Sequence, residues 1–109
     1  MPEDKNTVWS KNVAKQLAEA LVAIEDTQTM QNFLRDVMTE KEITEMSARL
    51  EAARMLRSGS TYTDIVAKTK LSSRTVARIS NWLKNGCGGY QAALKMVDHH
   101  AHILPARAV

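Results

Sequence analysis

Residues 61–84 read Thr-Tyr-Thr-Asp-Ile-Val-Ala-Lys-Thr-Lys-Leu-Ser-Ser-Arg-Thr-Val-Ala-Arg-Ile-Ser-Asn-Trp-Leu-Lys. Ile65 and Val66 are adjacent apolar positions, predicting a short helix over Thr63–Thr69 with both facing inward. Ser72 can accept a hydrogen bond from an otherwise orphaned backbone N–H, so a second helix starts there. Within it Val76, Ile79 and Leu83 recur at i, i+3 and i+7. At about 100° per residue the opposite face carries Arg74, Ala77, Arg78 and Asn81. Two short helices, a tight turn and a basic outer face made partly of small residues form the pattern of a helix-turn-helix, whose second helix enters the DNA major groove.

The rest of the chain reads as helices built around this hairpin, and the fold class is all-α. A first helix is predicted from Val8 to Ile24, with Trp9, Val13, Leu17, Ala20, Leu21 and Ile24 on one stripe. Asp26 or Thr27 can cap a second, whose inner face is Met30, Phe33, Leu34, Val37 and Met38. Thr39 followed by Glu42 matches a capping box and opens a third helix reaching Arg57. Ile43, Met46, Leu50, Ala53 and Leu56 form its main stripe, and Ala48, Ala52 and Met55 a weaker second side, so this helix is expected to pack centrally. Gly59 ends it. Asn85, Gly86, Gly88 and Gly89 break the hairpin's second helix, and a sixth helix is expected over Tyr90–Asp98. The domain is thus read as residues 1–98, with 99–109 a flexible tail. There is no internal repeat and no convincing strand.

Composition narrows the function classes. A chain of 109 residues with 44% hydrophobic and 5% aromatic residues reads as one soluble, cytoplasmic helical domain. No apolar run reaches the about 18 residues of a membrane span, and the N-terminus is too polar for a signal peptide. The formal net charge of +3 hides an asymmetry. Residues 1–40 carry four Lys/Arg against seven Asp/Glu, whereas residues 54–84 carry seven Lys/Arg against Asp64 alone. A basic excess centred on the hairpin points to a polyanionic partner, double-stranded DNA.

On that reading Ser73, Arg74 and Ala77 are the candidates for base readout. Arg74 can donate two hydrogen bonds to one guanine, and Ala77 allows close approach or contact with a thymine methyl. Thr63, Lys68, Lys70, Thr75 and Lys84 are the candidates for phosphate contact, which holds register but carries no sequence information. Lys70 dissents from the pattern, because a turn of this kind prefers Gly there. If the position needs positive φ, Lys costs about 1 kcal/mol. A helical protein-interaction module without DNA binding is the alternative, supported by Lys70 and the acidic N-terminal third. The one-sided first and sixth helices and the scarcity of aromatic residues are easier to bury if a second copy supplies the other wall, which makes an interlocked homodimer the expected assembly.

Other candidates carry less. His99, His100 and His102 form a short cluster, but adjacent histidines on a helix diverge, so adventitious rather than designed metal binding is expected and no metal site is assigned. Cys87 stands alone in a Gly-rich loop with no nearby base to activate it, and no disulfide framework exists. Gly86-Cys87-Gly88-Gly89 lacks the Lys-Ser/Thr of a phosphate loop. No acid pair or nucleophile–base pair stands out; neither an enzyme nor a cofactor is expected.

Several segments carry a resemblance: Met38–Ile43, Ala48–Arg57, Thr61-Tyr62, Ser72–Ile79 and Asn85–Tyr90. Through them the chain resembles the tryptophan repressor superfamily, especially its Trp-repressor-like YerC/YecD branch, with a weaker likeness over Leu17–Val37. The resemblance implies a six-helix subunit, intertwined as a homodimer, that binds a palindromic operator. It also implies that Thr39, Arg49 and Arg78 match the threonine and two arginines of the family's tryptophan pocket. Where that pocket has a small glycine and a serine, this chain has Ile79 and Trp82. Free tryptophan is therefore not the expected co-repressor, and any small-molecule effector is of unknown identity. Trp82 either fills the equivalent site or packs at the edge of the core; Arg49 either faces that site or pairs with an acid such as Glu45 on its own helix.

Overall fold

The computed structural model describes residues 7–103, with side chains over 7–98. Six α-helices and a single 3-10 turn account for the described residues, and no strand occurs among them. The helices are α1 Asn12–Ala23, α2 Thr27–Val37, α3 Glu40–Arg57, α4 Tyr62–Thr69, α5 Ser73–Asn85 and α6 Gly89–Ile103. The described residues divide into two compact units, 7–43 and 44–103, with the boundary inside α3.

In the first unit the predicted opening helix is interrupted. Thr7–Ser10 forms a 3-10 turn and α1 begins only at Asn12. The Ser10 hydroxyl donates to the Thr7 carbonyl at 2.8 Å, the kind of local bond by which serine competes with helix continuation. Asp26 is the cap of α2: one carboxylate oxygen accepts from both the backbone N–H and the hydroxyl of Thr29, each at 2.9 Å. Those bonds hold its pKa below the ordinary carboxylate value, the backbone N–H contributing most. The capping box at α3 forms as its spacing predicts. Glu42 accepts from the Thr39 N–H at 2.8 Å while Thr39 Oγ1 accepts from the Glu42 N–H at 3.1 Å. Neither α1 nor α2 has a buried residue. Met30, Phe33 and Leu34 are half-buried, whereas Val13 is 77% and Val37 55% exposed.

The second unit holds the core. Ala52 and Ala53 of α3, Ile65 of α4, Val76 and Ile79 of α5 and Leu94 of α6 are buried in one cluster. Met55, Leu56, Val66, Leu71, Leu83 and Tyr90 pack against it. Adjacent alanines lie about 100° apart on a helix, so burying both gives the C-terminal half of α3 two packed sides. Earlier on the expected stripe the packing does not follow: Met46 and Leu50 are exposed. α3 ends in a Schellman motif, with Gly59 at φ 88°, its N–H on the Leu56 carbonyl and the Ser60 N–H on that of Met55. α6 is helical through Ile103, the last described residue and five residues beyond its expected end. No glycine or proline lies between Tyr90 and Ile103 to break the helix earlier. The side chains of His99, His100 and His102 lie outside the described residues, as do all of residues 104–109.

The turn between α4 and α5 is where the sequence departs from its own pattern, and the backbone accommodates the departure. Lys70 sits at φ 64°, ψ 12°, in the left-handed region, with its N–H on the Val66 carbonyl at 2.9 Å. A side chain there costs about 1 kcal/mol or more, partly offset by the lower unfolded-state entropy of a non-glycine residue. Lys70→Gly is expected to raise the unfolding free energy by about 0.5–1 kcal/mol, read as a higher urea midpoint at unchanged slope. Lys70→Ala, which keeps the Cβ, should give no such gain.

Candidate nucleic-acid interface

The hairpin is built from local caps outward. The Thr61 hydroxyl accepts from the Asp64 N–H at 3.2 Å and starts α4; the Thr69 hydroxyl donates to the Ile65 carbonyl at 2.7 Å near its end. Ser72 Oγ accepts from the Thr75 N–H at 3.1 Å and fixes the first turn of α5. At the other end the Gly86 N–H reaches the Trp82 carbonyl at 2.9 Å. A Cβ on Gly86 would lie 2.5 Å from that carbonyl oxygen, so only glycine fits the close.

With Val76 and Ile79 buried behind it, α5 turns Ser73, Arg74, Ala77, Arg78, Asn81 and Lys84 to the exposed side. Asn85 Nδ2 donates to Asn81 Oδ1 at 2.9 Å and ties that face together near its C-terminal end. No acid occupies the first turn of α5, and Arg74 stands there instead. The helix dipole disfavours a cation at this position, so Arg74 is not placed for helix stability.

The phosphate candidates divide. Thr63, Lys70 and Lys84 are exposed. Thr75 is half-buried, and its hydroxyl lies 3.0 Å from that of Ser72. Lys68 is 61% exposed, yet its Nζ lies 3.2 Å from Glu51 Oε2 of α3. Glu51 also takes Arg54 in bidentate fashion, Nε at 2.8 Å and Nη2 at 2.6 Å. These partners, Arg54 foremost, lower the Glu51 pKa to about 2. A folded pKa below the unfolded value of 4.5 gives stability that is complete above about pH 4.5 and lost as pH falls toward 2. The acid limb of a pH–stability curve should accordingly be shallower for Glu51→Gln than for the parent. Sequence reasoning missed Glu51. Its spacing to Arg54 was legible, but Lys68, seventeen residues on, meets it only through packing of α3 and α4.

The candidate effector residues belong to both units. Thr39 belongs to the first unit and its hydroxyl serves the capping box. In the second unit Arg49 is half-buried, Arg78 is exposed, Ile79 is wholly buried in the core and Trp82 is 39% exposed. Cys87 is exposed. No group of three or more His, Cys, Asp or Glu able to hold a metal occurs among the described residues, nor a helix long and apolar enough to cross a membrane.

Residues 12–98 match the family described as Trp repressor protein, a span that takes in all six helices except the end of α6. The chain belongs to the Trp repressor family. Within this family of regulatory DNA-binding proteins it is 37% identical over 82 residues to the uncharacterized protein YerC of Bacillus subtilis, covering 75% of this chain and 79% of that one. Its fold is similar to the crystal structure of a TrpR-like protein from Eubacterium eligens, with a TM-score of 0.77, 33% identity, and 93% and 100% of the two chains covered. It is also similar to that of a proposed Trp repressor from Staphylococcus aureus, with a TM-score of 0.80, 25% identity, and 88% and 96% covered. The all-helical Trp-repressor fold expected from the sequence is therefore the fold of this chain.

Proposed function

We propose that this Trp repressor family member is a sequence-specific transcriptional repressor that binds a palindromic operator as a homodimer in the cytoplasm. The observation that carries the reading is the face of α5: Ser73, Arg74 and Ala77 stand exposed at its N-terminal end, over a buried Val76 and Ile79. The N-terminal residues of a recognition helix are those that reach base edges. Thr63, Lys70 and Lys84 are free to meet phosphates at the start of α4, in the turn and at the end of α5. Thr75 is assigned the same role once its hydroxyl leaves that of Ser72, whereas Lys68, held by Glu51, contributes little to phosphate contact. The homodimer is supported by burial: among the described residues, no side chain before Ala52 is buried, and Trp9, Val13 and Leu17 are each at least 45% exposed. A second copy would remove that apolar surface from water.

Free tryptophan does not serve as co-repressor on this reading. The family resemblance places a glycine where Ile79 stands, and Ile79 is fully buried in the core. Titration of the protein with tryptophan by calorimetry should give no stoichiometric heat; one-to-one binding at micromolar affinity would overturn this part. DNA binding itself is tested by a salt series on a duplex. Log affinity should fall linearly with log salt, with a slope of about −0.9 for every phosphate neutralised. No detectable duplex binding at low salt would leave the protein-interaction module as the better reading.

A further inference from the structure

Glu51 occupies an unexpected place for an acid. It stands on α3 beside the buried Ala52 and Ala53, and its carboxylate faces Lys68 in the last turn of α4, two residues before the strained Lys70. Arg54 grips it through two nitrogens, which leaves the second pairing, to Lys68, as the exchangeable one. The side chain of Glu51 is 28% exposed, against 61% for Lys68. The anion is fixed and partly covered, and the cation is long, hydrated and movable.

We propose that Glu51 is a built-in competitor of the DNA backbone for Lys68, anchored by Arg54, which withholds one cation of the hairpin from phosphate and so limits sequence-independent affinity. The proposal rests on the DNA-binding reading above and assigns it a regulating residue. Because Arg54 and Lys68 keep Glu51 ionised down to about pH 2, protonation does not release Lys68 under ordinary conditions. A phosphate must compete for it. The recognition face of α5 is untouched, so the competitor acts on random and operator DNA alike. It lowers overall affinity and leaves the ratio between operator and random sites unchanged.

A cycle of Glu51→Gln, Lys68→Ala and the double variant, each titrated on a random duplex over a salt series, tests the idea. The expected result is a Glu51→Gln slope steeper than wild type by about 0.9, the increment of one phosphate contact, with an affinity gain on the order of tenfold at 50 mM salt. Lys68→Ala alone should change the slope by less than about 0.3, and in the Glu51→Gln background it should abolish the gain. A general loss of negative charge at the surface would give the gain without dependence on Lys68. That outcome overturns the proposal, as does an unchanged or shallower Glu51→Gln slope. If Glu51→Gln fails to fold, Lys68→Ala still decides: a full loss of about 0.9 in slope means that Lys68 already binds phosphate. Absence of duplex binding by wild type would instead remove the reading on which the proposal stands.

Discussion

Ile79→Ala is expected to lower the free energy of unfolding by about 2–5 kcal/mol, enough to remove much of the stability of a domain this size. Ile79 is fully buried and sits in one cluster with Ala52, Ala53, Ile65, Val76 and Leu94. Two of those neighbours are alanines, whose side chains end at Cβ and cannot rotate into a void. That lack of reach prevents collapse around the truncated sec-butyl side chain. The cost should lie away from the lower bound. Urea unfolding followed by circular dichroism, at one fixed protein concentration because an associating protein gains stability by mass action, measures it. A loss below about 1 kcal/mol would mean that Ile79 is not a core residue and that the space it occupies can open.

Arg74→Ala is expected to reduce discrimination at one base pair of each half-site by about 1–3 kcal/mol, a factor of roughly five to more than a hundred. Arg74 is exposed in the first turn of α5, the helix dipole gives it no reason to be there, and no acid shares that turn. A guanidinium can donate to two guanine acceptors at once, so its removal deletes both bonds and the preference with them. Lys84→Ala is the contrasting case: binding to every duplex should weaken alike, with the salt slope reduced by about one. Competition binding with a bound duplex and its single-pair variants separates the two. Equal losses for Arg74→Ala on cognate and random DNA would remove it from base readout.

How much of this was legible in the sequence follows the range of the interactions. Caps are local, and the serine, aspartate and threonine that start α5, α2 and α3 were readable because each partner lies three residues away. Gly59 likewise announced its turn. The break before α1 was not readable, since Ser10 bonding back to Thr7 competes with a helix that the apolar stripe favours equally well. α6 outlasts its expected end because no glycine or proline lies between Tyr90 and Ile103. In the site, exposure of Ser73, Arg74 and Ala77 followed from helical periodicity alone. The Glu51–Lys68 pair joins two helices, and no local pattern encodes it. The left-handed backbone of Lys70 was visible only as a conflict between residue type and turn, and the structure resolves that conflict in favour of the turn.

Selection of bound duplexes from a random pool by the purified protein should enrich one palindromic motif whose half-sites are centred about 10–10.5 base pairs apart, the spacing of two symmetry-related recognition helices on one face of DNA. Bound duplexes sharing no motif, or sharing a single unpaired half-site, would contradict operator binding by a homodimer.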